Sequence, residues 1–147
     1  MRMSFGRWTA VIAASAALSG CSSGSATSPD DASRNAAALL GPTWRLATIE
    51  GQPVLDGSTV TATFTSDARV AGSAGCNGYF GGAKAASGAI EIGPLGATLM
   101  ACAPDGLMAQ EARYLGALQA AKTYAVSGGE LRLGRSASEV TLVFKSN

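Results

Sequence analysis

The chain has 147 residues, one modest domain's worth with appendages, and contains no histidine. That absence excludes Ser-His-Asp and Cys-His nucleophile pairs, zincin motifs and every histidine-bearing metal site. The net charge of +1 falls to near −1 once a leader carrying Arg2 and Arg7 is removed, so there is no electrostatic case for nucleic-acid binding.

The first segment, MRMSFGRWTAVIAASAALSGC, has two arginines followed by an apolar run from Trp8 to Leu18. The run is too short to span a bilayer comfortably and carries the layout of an export signal. It ends in Leu18-Ser19-Gly20-Cys21, which resembles the bacterial lipobox. The resemblance implies cleavage before Cys21, leaving residues 1–20 as a lipoprotein signal peptide, and diacylglycerol on the Cys21 sulfur. Two or three acyl chains hold a protein stably at a membrane, whereas one does so only marginally. Ser22, with no Asp at that position, implies outer-membrane placement facing the periplasm in a Gram-negative cell. Residues 21–41 are rich in Ser, Ala and Asp, and with Cys21 at their head they are expected to form a flexible tether.

From residue 42 to 147 the pattern is mostly of period two. Thr43–Ile49, Val60–Phe64, Ala89–Ile92, Thr123–Val126, Glu130–Leu133 and Val140–Lys145 alternate apolar and polar positions, and Tyr79 and Phe80 suggest a further strand. Turn signals lie at Gly51-Gln52-Pro53, Thr65-Ser66-Asp67, Ser127-Gly128-Gly129 and from Gly134 to Ser138. Seven or eight short strands at this spacing predict an α+β domain whose antiparallel sheet is strongly curved, or a small half-barrel. One amphipathic helix is expected to pack on it, over Pro104–Lys122. Its apolar face would be Met108, Leu115, Leu118 and Ala121 with Ala112 filling in, Asp105 would cap its start, and Arg113 and Lys122 would sit on the solvated side.

The most unusual stretch is AGSAGCNGYFGG, residues 71 to 82. It lacks the Lys-Ser/Thr of a phosphate loop, and Cys76 with Cys102 cannot alone complete a zinc sphere, so neither a cofactor nor a metal is expected. In an exported domain the two cysteines are most simply read as one disulfide. A Cys76 thiol activated by a neighbouring Lys or Arg is the alternative, and it would open a redox or thiol-based enzyme role. Asn77 is expected to cap its own turn in preference to binding a ligand. Thr98 and Met100 are expected to support the bridge and fill the core. One of Tyr79 and Phe80 should be buried and the other exposed.

Taken in order, GPTWRLATIEGQPV, GSAGCNGYFGG, IGPLGATLMAC, EARYLGALQAAKTYAV, GGELRL and VTLVF resemble the META domain of HslJ-like bacterial envelope proteins. The corresponding motif positions are Gly75, Cys76, Asn77, Thr98, Met100 and Cys102. The chain departs from the pattern at Ala83, where many members carry an aromatic, and at Leu99, where a basic residue is usual. The resemblance implies a non-enzymatic protein of the cell envelope with a role in stress or antibiotic tolerance. Its partners would be the membrane, through Cys21, and an envelope protein or small apolar ligand. No catalytic residue is expected, and the chain is expected to be a monomer. The second functional reading is an exported protease inhibitor presenting the rigid loop Glu50 to Gly57 around Pro53.

Overall fold

The computed structural model describes residues 29–103 and 106–147; the signal segment, Cys21, Pro104 and Asp105 lie outside the described residues. The chain runs α1 (Pro29–Leu39), β1 (Thr43–Ile49), β2 (Gln52–Pro53), β3 (Thr59–Thr65), β4 (Arg69–Gly75), β5 (Gly78–Ala86), β6 (Ala89–Ala97), α2 (Leu107–Ala120), β7 (Thr123–Ser127), β8 (Glu130–Ser136) and β9 (Glu139–Ser146). All strand pairings are antiparallel and follow chain order, except that β1 pairs both β3 and β9. That extra pairing curls the sheet into a ring. The ring is weakest between β6 and β7, which share the single register pair Ala89 and Thr123 because α2 intervenes in the chain there.

The fold is α+β with a strongly curved antiparallel sheet. Alternation explains the curvature: Val60, Ala62 and Phe64 of β3, Leu131 and Leu133 of β8, and Leu142 and Phe144 of β9 all turn inward and are buried. In β1 a register shift between Leu46 and Thr48 opposite β9 breaks strict alternation, and Ile49 is buried along with Trp44 and Leu46. These large side chains fill the interior of the ring.

Among the described residues two helices cap opposite ends of the ring, where one was expected. Segment 29–39, read as tether, is helix α1: Pro29 stands at its first position, Asp30 and Asp31 lie in the first turn, and the rest is Ala-rich. Asn35 and Ala36 are half-buried, and Leu39 is fully buried beside Trp44, whose indole N–H donates to the Leu39 carbonyl at 3.0 Å. Leu40 bridges Phe64. At the other end α2 packs against β6 and β4 and buries Gln110, Glu111, Tyr114, Ala117 and Leu118. The expected face holds in its second half, where Leu118 and Ala121 are buried, and fails in its first. Met108 and Ala112 are exposed and Leu115 only partly buried, because two polar residues occupy positions on the buried stripe. The helix begins at Gly106, whose φ of 96° places it in the left-handed region, and among the described residues no side chain caps it; Asp105, expected to do so, lies outside them. Gly116 is exposed and meets no neighbour. Among the described residues no helix is long and apolar enough to cross a membrane.

Candidate functional site

The hairpin between β4 and β5 builds the site. Gly75 closes β4 with φ of 112°, and a Cβ there would come 2.9 Å from Ser58 Oγ and 3.3 Å from Leu107 Cδ1. Only glycine fits both the backbone and the space under α2. The turn that follows is held by Ala74 N–H donating to the Asn77 carbonyl at 2.8 Å. Cys76 faces the segment after β6 and is bridged to Cys102, with 6.1 Å between Cα atoms. Both sulfurs are thus committed to the bridge, and neither is the free thiol of the alternative reading.

Asn77 is buried and does not cap its own turn. Its Oδ1 accepts from Thr98 Oγ1 and from Met100 N–H, each at 2.8 Å. Its Nδ2 donates to Glu111 Oε1 at 2.9 Å and to the Met100 carbonyl at 3.3 Å, with Cys102 Sγ at 3.7 Å. The Asn77 backbone N–H donates to Glu111 Oε2 at 2.9 Å. An amide side chain has two hydrogens to give and two lone pairs to receive, so nothing is left over for a ligand. Thr98 Oγ1 also accepts from Gly78 N–H at 3.1 Å, while Thr98 N–H donates to the Gly78 carbonyl at 3.0 Å. The motif positions Gly75, Cys76, Asn77, Thr98 and Cys102 therefore come together as one knot.

Met100 enters the knot only through its backbone. Its side chain is 56% exposed, so the expectation that it fills the core does not hold. Leu99 beside it is 98% exposed, and Ala83 is buried. Tyr79 is core and Phe80 surface.

Glu111 and Gln110 were not foreseen. Glu111 holds Asn77, while Gln110 Oε1 accepts from Leu55 N–H at 2.6 Å and its Nε2 donates to Ser58 Oγ at 2.8 Å. The signal was present: at helical spacing between Leu107 and Tyr114 the inward stripe passes through two polar residues, which must be satisfied when buried. Gln110 thereby ties the Glu50–Gly57 loop to α2, and Arg113 pairs with Glu50 at 3.6 Å. Lys122 is exposed.

Deeper under α2, the Tyr79 and Tyr114 hydroxyls meet at 2.6 Å, and Tyr79 donates to the Thr61 carbonyl at 3.0 Å. Burial pushes both phenols well above the usual tyrosine range. Among the described residues, no three His, Cys, Asp or Glu side chains are grouped to hold a metal. Two surface depressions lie on the β7–β9 side, one of about 400 Å³ beside Glu130 and Lys145 and one of about 350 Å³ beside Thr123 and Val140. Neither involves a motif residue.

The META domain family profile matches residues 37–147. The chain belongs to the META domain family. An NMR structure of a protein from Burkholderia xenovorans resembles this META domain with a TM-score of 0.61 and 22% identity, covering 99% of each chain. A second NMR structure has a TM-score of 0.59 and 24% identity, covering 74% of this chain and 92% of that one. At these identities the likeness extends to the fold. No curated protein matches this META chain significantly.

Proposed function

We propose that this META-domain protein is a non-enzymatic binding or accessory module of the cell envelope, anchored by acyl chains on Cys21 and serving stress or antibiotic tolerance. In a Gram-negative cell the anchor would sit in the outer membrane, facing the periplasm. The observation that carries the reading is the closed knot. Every hydrogen-bonding group of the Asn77 side chain is spent on Thr98, Met100 and Glu111. A catalytic site keeps donors and acceptors for substrate, whereas these hold backbone. The lipobox-like Leu18-Ser19-Gly20-Cys21 supports the anchor.

The test is the intact mass of protein purified from membranes, denatured without reductant and treated with a thiol-alkylating reagent. The expected mass lacks residues 1–20, carries added acyl chains and bears no alkyl adduct. A chain that retains Met1 or carries no acyl mass would remove the anchor. Two alkyl adducts would remove the sealed knot and return the thiol chemistry to consideration. Protease inhibition, the second reading, is favoured by one observation outside the loop first expected for it. Leu99 stands almost fully in water on backbone that Asn77 holds from within.

A further inference from the structure

Residues 98–102 leave β6 without entering another strand or helix, yet their backbone is fixed from three sides. Thr98 is bonded to Gly78 and Asn77, Met100 receives and gives a hydrogen bond to the Asn77 side chain, and Cys102 is bridged to Cys76. Between two of these fixed points stands Leu99, 98% exposed. A single exposed apolar side chain is ordinary on a protein surface, but the backbone on both sides of Leu99 is fixed, so its side chain is offered to a pocket in one geometry. The ordering cost that a flexible peptide would meet on binding has here been met by folding.

We propose that Thr98–Cys102 is a substrate-like protease-binding segment, with Leu99 filling the primary pocket of a serine endopeptidase that prefers large apolar residues. This rests on the reading of the chain as a non-enzymatic binding module and names its partner class. Such an enzyme takes an exposed backbone segment across its cleft and one side chain into a pocket whose chemistry sets the choice. A mobile segment would be cut and released. Hydrolysis here adds one water across the Leu99–Met100 peptide, but Thr98 and Met100 both remain on Asn77 and Cys102 remains bridged to Cys76. Neither new end can leave, so the cleft stays occupied. A lipid surface is the rival occupant for exposed Leu99 and Met100. The chain enters the ring through α1, however, and α1 and the knot are at opposite ends, which turns Leu99 away from the point where the lipid-bearing segment joins.

The test is inhibition of chymotrypsin, subtilisin and trypsin by the full-length purified protein, as wild type, Leu99→Lys and Leu99→Asp. Because Leu99 is in water, all three should melt alike. Wild type is expected to inhibit chymotrypsin and subtilisin but not trypsin. Leu99→Lys should transfer inhibition to trypsin and weaken it toward chymotrypsin on the order of a hundredfold, while Leu99→Asp should abolish both. The proposal is overturned if wild type inhibits neither apolar-preferring enzyme and Leu99→Lys gains nothing against trypsin. It is equally overturned if the Leu99–Met100 bond is turned over as an ordinary substrate. Loss of binding to phosphatidylglycerol vesicles in Leu99→Asp, without any inhibition by wild type, would assign the segment to lipid instead. The mass measurement decides the anchor separately, so failure of the protease assay leaves that reading standing.

Discussion

The two ends of the ring are closed by different physics. At the α2 end, hydrogen bonds saturate Asn77, two further bonds satisfy Gln110, and a disulfide joins Cys76 to Cys102. At the α1 end Leu39 is buried beside Trp44 and Phe64, with one indole hydrogen bond and one backbone bond from Gly41 N–H to the Phe64 carbonyl. Burial of an apolar side chain is non-directional and tolerates adjustment. A buried polar group demands its partners at fixed geometry and is costly without them. The α2 end is therefore specified and rigid, while the α1 end is merely covered.

Substitution can break that contrast. Asn77→Ala is expected to have the largest effect, about 3–5 kcal/mol in urea unfolding, because it strips the side-chain partner from Glu111 Oε1, Met100 N–H, the Met100 carbonyl and the Thr98 hydroxyl hydrogen together. A loss below about 1 kcal/mol would mean that the bridge alone holds this end. Removing the bridge with Cys76→Ser and Cys102→Ser should cost about 3 kcal/mol, as expected for releasing a closed loop of this length. Leu39→Ala should cost about 2–3 kcal/mol through transfer and cavity terms. A cost near zero would show that α1 contributes nothing to the ring. The smallest effect comes from pH. Tyr79 and Tyr114 have raised folded pKa values, so their contribution is fully present below the unfolded value of about 10. Above it the unfolded chain releases protons that the folded chain retains, and stability should fall by up to about 1.4 kcal/mol per pH unit for each phenol. Tyr114→Phe should flatten that decline, and an unchanged alkaline slope would exclude the pair as its source.

The strands with large alternating side chains could be read directly: Val60, Ala62 and Phe64 face inward as their spacing requires. β4 could not, because Arg69–Gly75 carries small residues whose role is proximity; a Cβ on Gly72 would collide with the Thr61 carbonyl of β3. α1 was read as tether because its composition is polar and its full burial falls on Leu39. The α2 face is legible at Leu118 and Ala121 but not in the first turns, where the helix turns inward the two polar residues that hold the site in place of Met108 and Ala112. Cys76 and Cys102 were legible as a pair from the export context. What Asn77 does was not, since its partners Met100 and Glu111 lie 23 and 34 residues away.

The pairing of β1 with β9 sets Trp44 opposite Ser146, and Asn147 N–H reaches the Thr43 carbonyl at 3.3 Å. The first and last strands of the ring thus start and finish side by side, at the usual cross-strand spacing of about 5 Å. The domain is in effect circular, and a permuted chain joined there by a short linker and opened at the exposed Gly128-Gly129 turn should rebuild the same ring, knot included.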